Sequence, residues 1–280
     1  MSPTSSTLPV DPFQVYVDGV YDAEKPEEPR GYLGASAVGH SCDAVLAMIL
    51  RGLPEKPVGG RIKRIFKMGH TIEKMVVDDL RKSGYVVQEV DPATGKQYEW
   101  TLMNGHVEGH ADGLISVPSK PEKNLLEIKS MNDKMFKLFR TRGVAISHPK
   151  YLSQVMMMMG MAGLNRSMLV SYNKNTSEYA VEFIDFDPIL YADLLDRIER
   201  VSELKVRRIQ IRENGFPCVM CSRKDYCWQP QANVPPVLTC KNCKNSVPSK
   251  LKHKAWHCTL KNVEATGVCS SHEFWTPEPK

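Results

Sequence analysis

Apolar and polar positions alternate along the chain in patterns that predict a series of short helices and strands. Between residues 70 and 84, apolar residues recur at positions 72, 75, 76 and 80 and a glycine ends the run, which predicts an amphipathic helix. Strand-like runs follow at 85–90, 109–117 and 124–130. The first half of the chain therefore predicts a helix followed by three strands.

The middle of the chain continues the alternation between the two kinds of element. A helix is predicted over 149–163, because a proline opens the segment and a glycine closes it. Strands are predicted at 167–172 and 179–186, and a helix with an aspartate cap over 187–213. This order predicts an α/β fold with a mixed central sheet flanked by helices.

Composition changes at two points divide the chain into three parts. Residues 1–30 are rich in proline and acids and predict a loose N-terminal arm. A Pro-rich linker at 233–238 separates the main domain, 31–232, from a cysteine-containing tail, 233–280. The tail is too short for a large core of its own, so it predicts a small metal-binding module.

The composition is that of a globular protein, and the charge allows an anionic partner. The 280 residues are 42% hydrophobic and 25% charged, with a net charge of +5. No long apolar run and no basic start followed by an apolar stretch is present, which predicts a cytoplasmic protein without a membrane partner. The basic runs 61–67, 134–140 and 205–212 would suit a polyanion, although solvated helix faces are their ordinary explanation.

An acid and a base in the predicted strand 124–130 carry the first chemical signal. Side chains alternate along a strand, so Glu127 and Lys129 should share one face. Asp112, fifteen positions before Glu127, should lie beside them across a hairpin. With the Ile128 carbonyl, these carboxylates could hold Mg²⁺ or Mn²⁺ for phosphodiester hydrolysis, with Lys129 acting on the water or the phosphate. The alternative is a surface hairpin with a cross-strand ion pair.

Asp112 followed by Glu-Ile-Lys at 127–129 resembles the core motif of the PD-(D/E)XK nucleases, and flanking segments resemble their RecB-like and phage exonuclease branch. Residues 69–73 are similar to the helix motif of that branch, which points to Glu73 as a metal ligand, with His70 one turn earlier. Residues 151–160 resemble its glutamine-containing helix, which implies that Gln154 lies near the scissile phosphate. Met158 stands where many relatives have tyrosine.

The resemblance implies both a fold and an activity. It implies a restriction-endonuclease-like core and a Mg²⁺- or Mn²⁺-dependent DNA exonuclease that trims ends for recombination or repair. Residues 31–46 resemble the N-terminal segment of phage and prophage recombination nucleases, which implies a phage origin and an annealing or recombination protein as partner. The alternatives are a structure- or sequence-selective endonuclease on the same core, and a non-catalytic nucleic-acid-binding metal protein.

Other polar residues are weaker candidates. By strand parity His106 and His110 fall on the face of Asp112, but hard ions prefer oxygen, so both should lie outside the ligand set. Arg140, Arg142 and Lys174 are candidate phosphate contacts, and ordinary surface charge is the alternative for each.

Cysteines in a chain of this predicted location indicate metal ligands more than disulfides. Cys218, Cys221 and Cys227 need a fourth ligand, and Cys42 is the obvious donor. One cysteine before the nuclease core and three after it resemble the iron–sulfur RecB-like nucleases, including CRISPR-associated and AddB-type enzymes. The resemblance implies a [4Fe-4S] cluster, and zinc is the alternative at the same thiolates.

The remaining cysteines form a second set in the tail. They are Cys240, Cys243, Cys258 and Cys269. Four soft ligands in so short a segment predict a structural Zn²⁺ site, in which His257 or His272 could replace one thiolate.

Overall fold

The computed structural model describes residues 11–25, 29–116, 119–203, 205–235 and 237–280. In these residues the α-helices are α1 Pro12–Asp22, α2 Ala35–Val38, α3 Asp43–Leu50, α4 Gly60–Lys82, α5 Asp133–Ser147, α6 Pro149–Ala162, α7 Pro188–Ser202 and α8 Lys224–Trp228. The strands are β1 Leu33–Gly34, β2 Val86–Gln88, β3 Glu99–Leu102, β4 Val107–His110, β5 Gly113–Ser116, β6 Asn124–Met131, β7 Arg166–Asn173, β8 Tyr179–Asp185, β9 Ser246–Pro248, β10 Trp256–Cys258 and β11 Val263–Glu264.

A five-stranded mixed sheet forms the centre of the fold, in the order β2-β5-β6-β7-β8. Only the β6–β7 pair of this sheet is parallel. Helix α4 covers one face, where Ile72 and Val76 pack against Leu126. The buried methionines of α6 belong to the larger cluster on the other face. The predicted fold class, a mixed sheet flanked by helices with a small C-terminal module, is confirmed.

The side chains of β6 alternate between the two faces of this sheet. Leu126 and Ile128 belong to the apolar cluster under α4. Leu125 and Met131 belong to the larger cluster on the α6 side. Residue 127 shares the parity of Leu125, so its side chain emerges among the apolar side chains that face α6.

The predicted strand over 109–117 is wrong as a single element, because the chain changes sheets at residues 111 and 112. Strand β4 pairs with β1 and β3, whereas β5 pairs with β2 and β6. Ala111 donates its N–H to the Tyr98 carbonyl of the smaller sheet. Asp112 therefore lies at a junction between two sheets. Its side chain can accept a backbone N–H of β6 that is not paired with β5.

The predicted helix over 187–213 ends earlier than its apolar spacing indicated. Helix α7 stops at Ser202, and Glu203 is already extended with ψ 173°. Beyond it the backbone pairs with the end of the chain: Arg208 N–H donates to the Glu278 carbonyl and Glu278 N–H donates to that of Val206. This long-range pairing explains the early stop.

The predicted N-terminal arm contains a helix, α1, that packs on the first half of α4. Asp18 forms an ion pair with Arg64, and the Asp22 carboxylate accepts the Gly60 N–H at 2.6 Å. A Cβ at Gly60 would collide with the Asp18 carbonyl, so only glycine allows this approach. Residues 1–10 and 26–28 of the predicted arm lie outside the described residues. In the part that the structure describes, no helix is both long and apolar enough to span a membrane.

The tail forms a three-stranded antiparallel sheet and docks on the C-terminal end of α3. Arg51, which follows α3 directly, is 1% exposed. Its Nη1 donates to the carbonyls of Lys241 at 3.1 Å, Cys243 at 3.2 Å and Ser246 at 3.1 Å. Its guanidinium carbon lies 4.6 Å from the ring centre of Trp275, and a second tail tryptophan is 5.4 Å away. Arg51 thus fastens the tail to the core through backbone carbonyls and aromatic faces.

Candidate active site and cysteine clusters

Glu127 and Lys129 share one face of β6, as their spacing predicted, and they are in contact. The Lys129 ammonium forms an ion pair with Glu127 Oε1. Gln154, from α6, donates to the same oxygen at 2.7 Å. Glu127 is 1% exposed, and its other oxygen, Oε2, is buried without a hydrogen-bond partner among the described residues. One carboxylate oxygen is therefore held firmly while the other is left available.

Asp112 lies beside this pair because of the sheet junction. The β5–β6 register pairs Gly113 with Leu126, so the ladder stops one residue short of Glu127. The Ile128 N–H instead donates to Asp112 Oδ2 at 2.7 Å. The carboxylate takes the place of a backbone acceptor and is fixed next to Glu127.

Burial makes both carboxyl groups weak acids. Loss of solvent raises the pKa of Asp112 to about 6, and the charge of Glu73 adds to the rise while Lys129 opposes it. Burial likewise raises the pKa of Glu127 to about 7, with Asp112 adding and Lys129 opposing. Burial alone would lower the pKa of Lys129, but the facing carboxylates raise it above its ordinary value. Two carboxyl groups with pKa values near neutrality, beside a lysine that stays protonated, are typical of a catalytic site.

Glu73 and His70 lie on α4, at the border of this cluster. Glu73 acts electrostatically on Asp112, and its side chain is 34% exposed. The imidazole Nδ1 of His70 is 3.8 Å from Glu73 Oε2, and its side chain is 80% exposed. Glu73 is therefore within electrostatic reach of Asp112, and the described contact of His70 is with Glu73.

The donor set suits a hard divalent cation, although the side chains are not closed around one. Throughout the described ranges, no three His, Cys, Asp or Glu side chains converge in a geometry that holds a metal ion as they stand. The buried Glu127 Oε2 has no donor, and buried Asp112 has a strongly raised pKa. Both features are those of oxygens that gain from a nearby cation. These residues fit Mg²⁺ or Mn²⁺ by chemistry.

The weaker histidine candidates lie away from the cluster. His106 is completely buried under the tail, where its Nε2 is 2.8 Å from the Ala255 carbonyl. His110 lies between Glu99 and Glu108, at 3.7 and 3.9 Å. The parity that placed both beside Asp112 is wrong, because the strand breaks between His110 and Asp112.

The candidate phosphate contacts lie around the turn between β7 and β8. Arg140 is 3.3 Å from Glu178, and Arg142 is exposed on α5. Lys174 donates its backbone N–H to the Met131 carbonyl at the end of β6. None of the described contacts joins them to Glu127, and their role in phosphate binding stays a prediction.

The first cysteine set surrounds one cavity, although its members are far apart in sequence. A cavity of about 220 Å³ is lined by Cys42, Cys218, Cys221 and Cys227. Burial, together with the nearby thiols of the set, raises the pKa of Cys227 to about 12. Cys42 caps the start of α3, the helix whose far end leads to Arg51. The structure therefore brings these four thiols together around a common space.

The second cysteine set lines a smaller cavity in the tail. The four thiols surround about 120 Å³, and His272 lies beside them. The Nε2 atom of His272 is 3.1 Å from both the Thr239 carbonyl and Asn242 Oδ1. These contacts involve only Nε2 of the ring, so the replacement of one thiolate by His272 or His257 stays a prediction.

Tyr151 is a residue of this region that the sequence analysis missed. Its ring centre lies 5.2 Å from the Lys129 ammonium nitrogen. Spacing could have found it, because Tyr151 precedes Gln154 by three positions and so shares its helix face. Met158, four positions after Gln154, is completely buried.

Comparisons with known proteins find only distant structural similarity. No protein-family model matches this sequence, and no curated protein does either. The chain is similar to the crystal structure of an alkaline exonuclease (LHK-Exo) from Laribacter hongkongensis, with 21% identity and a TM-score of 0.45 over 62% of this chain and 87% of that chain. LHK-Exo in complex with dAMP gives 20% identity and a TM-score of 0.44 over 61% and 86%. The crystal structure of SSO0001 gives 13% identity and a TM-score of 0.41 over 79% and 95%.

Proposed function

We propose that the chain is a Mg²⁺- or Mn²⁺-dependent DNA nuclease whose site is built on β6. The observation that carries the proposal is the state of Glu127, a buried carboxylate with one oxygen held by Lys129 and Gln154 and the other unpartnered. A merely structural ion pair would be expected to use both oxygens, because an unpaired buried acceptor costs free energy. The PD-(D/E)XK motif in the sequence agrees with this interpretation.

The residues divide the chemistry among them. Asp112, Glu127 and the Ile128 carbonyl would hold the metal ion, with Glu73 as an outer ligand. The bound ion would polarise the phosphate and lower the pKa of a water molecule. Lys129 stabilises the charge that develops on the phosphate or orients the attacking water. Gln154 holds Glu127 Oε1, which keeps the free oxygen directed to the metal position.

The substrate is proposed to be a DNA end, which makes the activity exonucleolytic. Wild-type protein should be incubated with end-labelled linear DNA and with closed circular DNA, in Mg²⁺, Mn²⁺ or Ca²⁺. Asp112→Ala and Lys129→Ala should lose cleavage while keeping their fold, and Lys250→Ala, whose side chain is 82% exposed, is the matched control. Release of mononucleotides from linear DNA alone is the expected result.

Other outcomes select among the alternatives. Cleavage of the closed circle would favour an endonuclease on the same core. Binding of DNA without cleavage in any of these metals would leave a non-catalytic nucleic-acid-binding protein. Near-normal activity of either active-site variant would overturn the assignment of Asp112 and Lys129.

The first cysteine set is proposed to hold a [4Fe-4S] cluster that ties the start of α3 to the segment after α7. Support comes from the four thiols that share one cavity, a donor set that suits iron–sulfur or zinc. Protein purified without oxygen should be brown, contain about four irons per chain, and bleach with dithionite. Cys42→Ser should release the iron and lower stability. A colourless protein with zinc in place of iron would assign zinc to this set.

The tail set is proposed to hold one structural Zn²⁺. The tryptophans of the tail belong to the main apolar cluster, so truncation near residue 236 would damage the core as well as remove the ligands. Cys258→Ser is therefore the cleaner test, and it should remove one zinc equivalent while the first set keeps its metal. Loss of both metals would show that the two sets share ligands.

A biological role in recombination or repair, in a phage or prophage and with an annealing protein as partner, follows only from the sequence resemblance. It stays a prediction. Co-purification of the chain with a single-strand annealing protein encoded beside it would test this role, and independent elution of the two proteins would contradict it.

A further inference from the structure

Helix α6 contacts both charged residues of β6 through one of its faces. Gln154 donates to Glu127, and Tyr151, three positions earlier, places its ring centre 5.2 Å from the Lys129 ammonium nitrogen. A cation within about 6 Å of an aromatic ring centre is attracted by the electron-rich face. The same helix therefore holds the acid with an amide and the base with an aromatic ring.

The ring of Tyr151 also stacks on a histidine. His148, the residue before α6, stacks on it with a centre separation of 4.8 Å and an angle of 3°. His148 Nδ1 lies 2.9 Å from Ser147 Oγ. Burial lowers the pKa of His148, so the imidazole is neutral near pH 7 and does not repel Lys129. The ring of Tyr151 is thus a fixed and uncharged surface beside the Lys129 ammonium.

Lys129 needs the ring of Tyr151 because its carboxylate partners are also the proposed metal ligands. Without metal, the ammonium is held by Glu127 and acts on Asp112. A divalent cation beside the same carboxylates would compete for them and would repel Lys129. Burial and then the charge of Lys129 lower the pKa of Lys150, so the two ammonium groups are within electrostatic reach and Lys150 adds to the repulsion. An aromatic face keeps its attraction under these conditions, because it carries no charge that the metal can take over.

We infer, on the basis of the proposed nuclease function, that Tyr151 is a positioning residue that holds Lys129 at the phosphate while Glu127 and Asp112 bind the metal. The aromatic face carries this role, and the phenolic hydroxyl is dispensable. The attraction between Tyr151 and Lys129 should therefore matter most when metal is bound. A residue that only packs in the core would contribute equally with and without metal.

The kinetic test compares two substitutions at this position with a control. Tyr151→Leu keeps an apolar side chain but removes the aromatic face, and it should lower kcat by about 5- to 30-fold with KM for DNA nearly unchanged. Tyr151→Phe keeps the face and should restore kcat to within about 3-fold of wild type. Tyr191→Leu is the control, because Tyr191 lies on α7 and packs against Gly160, near the other end of α6 from Tyr151. A wild-type kcat in Tyr151→Leu, or an equal loss in Tyr151→Phe, would overturn the inference.

A second readout does not depend on cleavage. Thermal unfolding of wild type, Lys129→Met, Tyr151→Leu and the double variant forms a double-mutant cycle, measured in EDTA and in saturating Mg²⁺. We expect the double variant to lose less stability than the sum of the stabilities lost by the two single variants. This difference should be larger in Mg²⁺ than in EDTA. Additive losses in Mg²⁺ would overturn the inference. If wild type cleaves no DNA, the nuclease proposal fails, while the cycle still decides whether Tyr151 holds Lys129.

Discussion

Two buried charges in this protein, Glu127 and Arg51, are stabilised in opposite ways. Both are 1% exposed. Glu127 faces a cation and a second acid, and it keeps one oxygen unpartnered. Arg51 faces carbonyl oxygens and two tryptophan rings, and burial lowers its pKa to about 9.

Each side chain has one buried polar atom without a hydrogen-bond partner among the described residues, Oε2 of Glu127 and Nε of Arg51, but only the carboxylate oxygen can accept a cation. At Glu127, the raised pKa values and the free oxygen are costs for folding that the proposed binding of a metal ion and a phosphate would offset. At Arg51, three carbonyls of the tail converge on one amino group of the guanidinium, so the residue is a fastener between the tail and α3. We expect substitutions at Glu127 to change activity and substitutions at Arg51 to change stability.

The largest expected effect is the loss of DNA cleavage in the Glu127→Gln variant. The amide keeps the shape of Glu127 but not its charge, so metal binding and cleavage should fall by about 1000-fold or more. Stability should stay the same or rise, because the repulsion from Asp112 is removed and Lys129 keeps one facing carboxylate. Parallel measurement of kcat/KM and urea unfolding checks both effects. A stable variant with wild-type activity would break the comparison.

The second effect is on stability, from Arg51→Met. This change leaves the carbonyls of Lys241, Cys243 and Ser246 without their donor and loosens two tryptophans, so the free energy of unfolding should fall by about 3 kcal/mol. The kcat of the folded fraction should not change. Arg207→Met, whose side chain is 75% exposed, is the control and should change stability by less than about 0.5 kcal/mol. Equal losses in both variants would refute the fastening role of Arg51.

The third effect is a dependence of stability on pH in the absence of metal. The folded protein holds protons on Asp112 and Glu127 up to pH values of about 6 and 7, whereas the unfolded chain releases them near pH 4. The free energy of unfolding should therefore fall as pH rises from about 4 to 7, by roughly 4 to 6 kcal/mol, and level off above that range. The raised pKa of Lys129 contributes stability that is constant here and is lost only in strongly alkaline solution.

Urea unfolding at several pH values in EDTA measures this dependence. Glu127→Gln should flatten the profile, because one of the two groups no longer titrates. Saturating Mg²⁺ should also reduce the slope, since the metal favours the carboxylates that protons would otherwise occupy. A wild-type profile that rises between pH 5 and 7 would contradict the raised pKa values.

The smallest expected effect comes from Glu73→Gln. Glu73 acts on Asp112 from the border of the site, so its loss should weaken Mg²⁺ binding by about 10-fold and leave stability unchanged. Because its charge raises the pKa of Asp112, the pH dependence of Mg²⁺ binding should also shift to lower pH. Calorimetric titration with Mg²⁺ at several pH values measures the affinity and its pH dependence. A loss as large as that of Glu127→Gln would make Glu73 an equal partner at the site.

Local sequence pattern was sufficient for the elements whose partners lie close along the chain or whose period is regular. The two-residue period of β6 places Glu127 and Lys129 on one face, and both emerge there in contact. The helix predicted over 149–163 is α6, and its run of methionines is buried as a core face. The grouping of Cys42 with Cys218, Cys221 and Cys227 also matches one shared cavity.

Long-range contacts decided the features that the sequence pattern could not. The sheet junction at Asp112, the early end of α7 and the docking of the tail on Arg51 depend on partners distant along the chain, at Ile128, Glu278 and Lys241 respectively. Periodicity reports which face of an element is apolar, but it does not report which segment covers that face. The sequence by itself determined which charged side chains share one face of β6, and tertiary structure decided which residues hold them in place.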